Sequence, residues 1–311
     1  LHAAAVAATD DVLLDPTPQL ALVWLSNYGQ YLTRLRLKIR QCSQPLQQLA
    51  CKDLLDLKLI GRFDITPGTT IASGFFDVFR KCTKLTRLEL DYSTFDPERA
   101  LADSLCRLEH LQHLDVVTRD PGTRLPAAAL PVFKHLTYLR FVTLSVDSLV
   151  EPCAALSGVT DLQELHFAAK PLLPHTEIGL SSAPGLSFPA SLKMLVLLSP
   201  VEAELLSLVP SGLQDLRVDC EVVGPGEGPG SFLSYVGQMR HFTRLSLQEE
   251  NLVYWPPPGR AYSALTANSN LVELEMFDTY CPQVEGLWPH MFPASHKLPH
   301  IFGVVGFRGR W

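Results

Sequence analysis

The chain has 311 residues, 47% of them hydrophobic and 19% charged, and a formal charge of −6 from 26 basic and 32 acidic side chains. That composition excludes an intrinsically disordered chain, and its acidic balance is a poor footprint for nucleic-acid binding. No apolar run approaches the roughly 18 residues that cross a bilayer, the longest near the start being Leu20 to Leu25, so no membrane segment is expected. The seven cysteines, Cys42, Cys51, Cys82, Cys106, Cys153, Cys220 and Cys281, are odd in number and never closer than nine residues. Neither a disulfide framework nor a Cys-x-x-Cys zinc pair is written in that spacing. None of the four asparagines has Ser or Thr two residues later, and the opening Leu1-His-Ala-Ala-Ala lacks the basic flank of a secretory signal. A reduced, cytoplasmic setting is therefore expected, with the cytoskeleton, axoneme or nucleus as alternatives.

In chain order, residues 1–31 read as an N-terminal capping or linker segment, within which Gln19 to Gly29 carries a helix-like apolar face. From Leu32 the chain writes Leu-x-x-Leu-x-Leu, or a close apolar variant, ten times. The sites begin at Leu32, Leu54, Leu85, Leu111, Leu136, Leu162, Leu192, Leu213, Phe242 and Leu271, with steps of 21 to 31 residues. That period is the signature of a leucine-rich repeat solenoid. The fold class expected is α/β, a curved horseshoe of about ten strand–turn–helix repeats with an irregular convex side, over residues 32–277. In Leu85-Thr-Arg-Leu88-Glu-Leu90 the alternation of a strand turns Leu88 and Leu90 inward and Arg87, Glu89 and Asp91 outward. Return helices are expected where apolar residues recur at three to four, as in Leu101, Leu105, Leu108 and Leu111, with Asp96-Pro97-Glu98 as a start signal, and in Leu156, Val159 and Leu162. Two repeats enter instead through Pro189-Ala-Ser-Leu192 and Pro210-Ser-Gly-Leu213, which suit a non-helical approach.

Three stretches interrupt the period: an insertion at 168–190, a glycine-proline loop from Gly224 to Gly230, and Tyr254 to Gly259 with its triple proline. Residues 278–311 hold no further motif, and Trp288, Phe292, Phe302, Phe307 and Trp311 read as a cap or tail over the last open repeat.

The usual asparagine three residues past the third apolar position is missing, with Arg40, Ser93, Lys170 and Glu250 among the residues found there. This departure resembles the longer, helix-backed repeats of intracellular ribonuclease-inhibitor-like and F-box-type leucine-rich repeat proteins. The entry Trp24-Leu25, Gly29, Leu32, Leu35, Leu37 is similar to the junction in plant-type F-box proteins where the segment after the F-box leads into the solenoid. The resemblance implies the substrate-recognition part of a ubiquitin ligase subunit. No F-box motif occurs between Leu1 and Tyr31, so a ligase adaptor is a partner only if an F-box precedes residue 1. Leucine-rich repeat proteins resembling this one also serve as cytoskeletal or axonemal scaffolds, which is the alternative expectation.

Catalytic signatures are absent: there is no Walker A loop, His-Glu-x-x-His, Gly-x-Ser-x-Gly or dinucleotide fingerprint, and no cofactor is expected. His110-Leu-Gln-His113 places one histidine before a strand and one on its outer face, which does not make a metal pair. The best cluster for chemistry is Tyr138, Arg140, Glu164 and His166, and recognition is the expected role of mixed polar groups on an open face. The expectation is thus a non-catalytic scaffold that binds a protein or peptide on its concave face. Arg34, Arg36 and Lys38, with Lys58 beside them, form a basic patch suited to an acidic partner. Met194, Val196 and Leu198 are the one outward set that is all apolar, flanked by Tyr138, Arg140 and His166. Either the 168–190 insertion covers that apolar set or a partner does.

Overall fold

The computed structural model describes residues 12–14, 23, 25–39, 52–61, 79, 81–92, 105–118, 125, 127–143, 154–169, 187–198, 203–219, 236, 239, 241–248, 270–277 and 300–302. Each of the ten motifs delivers a strand that starts two residues after its first apolar position. They are β2 Arg34–Ile39, β3 Asp56–Gly61, β4 Arg87–Tyr92, β5 His113–Thr118 and β6 Tyr138–Thr143. Then come β7 Glu164–Ala169, β8 Met194–Leu198, β9 Asp215–Asp219, β10 Arg244–Gln248 and β11 Glu273–Phe277. Two three-residue strands that no motif marks flank them, β1 Val12–Leu14 and β12 His300–Phe302.

The chain divides into two compact units, Leu1–Leu162 and Gln163–Trp311. In the first, β1 to β6 lie side by side in sequence order, every pair parallel. In the second, β7 to β12 do the same. A parallel sheet that gains one neighbouring strand per repeat is a leucine-rich repeat solenoid. The register stacks like on like. Leu35, Leu57, Leu88, Leu114 and Leu139 are successive partners, and none is more than 1% exposed. Each such burial contributes roughly 1.5 to 3 kcal/mol.

The return path expected to be helical is described in part: Leu105, Ala154 and Ala155 are α-helical, and Leu101 lies outside the described residues. Its described helical stretches include the 3₁₀ helices Ala127–Val132, Leu156–Gly158 and Ala203–Leu208. The physical reason lies in the spacing. Leu105, Leu108 and Leu111 are three apart, as are Leu130, Phe133 and Leu136, or Leu156, Val159 and Leu162, and all nine are fully buried. A step of three is the period of a 3₁₀ turn, in which an N–H reaches back three residues. Leu108 N donates to Leu105 O at 2.9 Å and Leu111 N to Leu108 O at 3.0 Å. The proline entries use the same turn, Leu192 N donating to Pro189 O and Leu213 N to Pro210 O, each at 3.1 Å. These turns pack tightly: a Cβ on Gly158 would lie 3.1 Å from Pro131 Cβ. The start signal Asp96-Pro97-Glu98, most of the 168–190 insertion, the Gly224–Gly230 loop, the triple proline and Trp288, Phe292, Phe307 and Trp311 lie outside the described residues.

A second lateral device runs along the strand entrances. The carbonyl of Leu55 accepts Thr86 N at 2.9 Å and Arg87 N at 3.0 Å, and the Thr86 hydroxyl at 3.0 Å. The Gln112 and Gln214 carbonyls receive the same triple set from Thr137 and Tyr138 and from Thr243 and Arg244. One carbonyl per repeat thus fastens two residues of the next, at the strand end opposite to the missing asparagines.

Candidate functional site

Parallel, in-register pairing turns the outward positions of each strand into rows across the sheet, about 4.8 Å from strand to strand. In the first unit the central row reads Arg36, Lys58, Glu89, Asp115, Arg140. The row on its entrance side reads Arg34, Asp56, Arg87, His113, Tyr138. Arg34, Arg36 and Lys38 are exposed along β2. Lys58, expected to join them, is half-buried and ion-paired to Glu89 on the next strand. Arg87 approaches the same carboxylate from within β4, its Nε donating to Glu89 Oε1 at 2.9 Å. Burial alone would raise the Glu89 carboxyl, but the hydrogen bonds and charges of Lys58 and Arg87 outweigh it and hold it below its ordinary value. Asp115 pairs with Arg140 at 3.0 Å. There burial wins over Arg140, so the Asp115 carboxyl stands above its ordinary value. Burial likewise lifts Asp56, against the pull of Arg87.

Tyr138 and His113 stack face to face, with ring centroids 4.0 Å apart and planes 6° apart. This removes His113 from the His110 pairing, since His110 is exposed in the preceding turn. Among the described residues no three His, Cys, Asp or Glu side chains gather to hold a metal ion. The free thiol of Cys82 is buried, which pushes it up to about 11.

In the second unit the entrance row reads Glu164, Met194, Asp215, Arg244, Glu273 and the central row begins His166, Val196, Arg217, Ser246. Asp215 is the hub: Arg217 Nη2 lies at 3.2 Å from its Oδ2 and Arg244 Nη1 at 3.7 Å. Arg244 continues to Glu273. His166 Nε2 stands 3.9 Å from Glu164 Oε2. Val196 is 6% exposed and Ala168 5%, whereas Met194 and Leu198 are half-buried. Val196 has His166 and Arg217 as its partners on either side in the central row. Of the expected cluster for chemistry, Tyr138 and Arg140 are engaged on the first unit by His113 and Asp115, and Glu164 and His166 share the second. Sequence reading mapped the outward residues but did not pair them. The signal was present, because equal positions in successive motifs become neighbours, as Lys58 and Glu89 do.

No protein-family model matches the chain, and no curated protein matches it. Among solved structures the chain is similar to internalin C2 from Listeria monocytogenes, at 16% identity and a TM-score of 0.39, covering 81% of this chain and 83% of that one. It is also similar to CroV588, described as a circular leucine-rich repeat protein, at 16% identity and a TM-score of 0.26. That match covers 80% of this chain and 40% of the other.

Proposed function

We propose that the chain is a non-catalytic scaffold that binds a protein or peptide on the outward face of its sheet. The observation that carries this reading is a row of exposed basic side chains on one strand of that face. Arg34, Arg36 and Lys38 present three exposed basic side chains in a row on β2. Such a row suits an acidic segment, whose attraction falls as salt rises. Within the first unit Tyr138 and Arg140, and within the second His166 with the half-buried Met194 and Leu198 around Val196, are further candidate contact residues of the kinds that protein interfaces draw on.

The finer reading is a substrate-recognition part of an F-box ubiquitin ligase subunit in the cytoplasm. It is supported by the entry segment, where residues 25–31 are helical and run directly into β2. Leu25 and Leu32 are fully buried, and Leu32 N closes on Gly29 O at 3.2 Å. Affinity purification from cells tests both levels. The binding reading expects a stable protein partner that elutes with rising salt and is lost from Arg34→Glu/Arg36→Glu; an unchanged partner profile removes it. Adaptor and cullin subunits among the partners support the ligase reading. Tubulin or dynein components replace it with a cytoskeletal scaffold.

A further inference from the structure

The entrance edge of the second unit carries a groove of about 430 Å³ built from two adjacent positions of five consecutive repeats. One wall is the entrance row from Glu164 to Glu273, and the other is the preceding residue of each repeat, from Gln163 to Val272. Five strands spaced about 4.8 Å apart make it about 19 Å long, which is the reach of about six extended residues. A length of that order, with a modest volume, suits a chain segment laid across the strands better than a compact small molecule.

Its charges fix what the segment must carry. Asp215 and Glu273 are held by Arg217 and Arg244, and their side chains are largely buried. Glu164 at one end is different, with a side chain 49% exposed and the histidine ring at 3.9 Å as its ion-pair neighbour. Val272, at the other end, is an apolar residue 50% exposed. Between them Gln214 is exposed and Gln163 Oε1 accepts from the exposed Lys193 Nζ at 3.5 Å, and side-chain amides both donate to and accept from a peptide backbone.

We infer that this groove binds an extended peptide segment with a lysine or arginine against Glu164 and an apolar side chain about five residues away against Val272. The inference rests on the reading of the chain as a binding scaffold and adds a second contact surface, of opposite preference to the basic row of β2. The Glu164 carboxylate selects the cation, and the exposed valine selects the apolar residue. The ion chain between them is self-satisfied, and the exposed Lys193 beside it favours neutral or acidic residues there.

The test is selection of a random heptapeptide display library on the immobilised full chain, followed by fluorescence anisotropy of the enriched peptides. Enriched peptides should carry Lys or Arg and an apolar residue about five positions apart. Glu164→Lys and Val272→Asp should each weaken them about tenfold, or 1.4 kcal/mol, Glu164→Gln less, and Glu109→Gln on the first unit not at all. Thermal melts of the variants, which alter exposed side chains, separate lost binding from lost folding. Acidic peptides that depend on Arg34 and Arg36 would overturn this inference and leave the scaffold reading standing. Peptides indifferent to both sets of variants, or no enrichment, would overturn both.

Discussion

The two units share one scaffold and differ in where they settle their charges. In the first, the pairs lie in the central row, Lys58 with Glu89 and Asp115 with Arg140, so neighbouring strands are tied at mid-strand. In the second, the ties sit at the strand entrance, Asp215 with Arg244 and Arg244 with Glu273, and the central row starts with His166 and a nearly covered Val196. The inward rows show no such difference, because both units stack apolar residues in register there. The core is therefore interchangeable between repeats, while the outward rows give each unit its own surface.

The largest expected effect tests the shared part. Leu114→Asp in the first unit and Leu165→Asp in the second each bury a carboxylate with no cation at hand, and should cost more than about 4 kcal/mol and unfold at least the adjacent repeats. Circular dichroism and melting temperature measure this; a wild-type melt in either would break the repeat frame.

Next come the two hubs. Asp215→Asn strips two arginines of their shared carboxylate, and Glu89→Gln does the same to Lys58 and Arg87, so each should cost about 1 to 3 kcal/mol in denaturant unfolding at neutral pH. A pH series sharpens the comparison. The Glu89 carboxyl is held below its ordinary 4.5, so the stability it adds is whole above that pH and is lost as the pH falls through its lowered folded value. The gap between wild type and Glu89→Gln should close over that acid range. Asp56 and Asp115 act with opposite sign: their raised carboxyls protonate early, and acid relieves the cost of burying them. A first unit with Glu89→Gln should therefore gain relative stability on mild acidification; a gap that widens instead would contradict the assignment.

The smallest effect concerns the lateral threonines. Thr86→Val and Thr243→Val keep the shape and remove one hydroxyl donor each, at partly solvated positions, and should cost about 1 kcal/mol or less. Equal losses in the two units would show that this edge, like the core, is common to both. The measurement is a chemical-denaturation midpoint for each variant.

Much of the fold is legible from Leu-x-x-Leu-x-Leu alone. That pattern places ten strands, says which residues point inward, and predicts their stacking, because strand alternation and burial leave one arrangement that hides every leucine. The return path is legible in part. Leu101 and Leu105 stand four apart, and Leu105, Leu108 and Leu111 three apart, so the spacing suits a helical turn that tightens into 3₁₀ turns before the strand. The site was legible in part: Arg34, Arg36 and Lys38 are outward and exposed as their positions require.

What the sequence by itself determined is the periodic part, the inward rows and the outward positions, since these follow from local alternation repeated along the chain. Only the tertiary structure decided which outward charges are spent on each other. The partners Lys58 and Glu89 stand 31 residues apart in sequence, and Arg244 and Glu273 29. Their meeting depends on the register between strands and on the path of each side chain across the sheet. Arg34, Arg36 and Lys38 stand exposed along β2, and Glu164 and Val272 along the groove of the second unit.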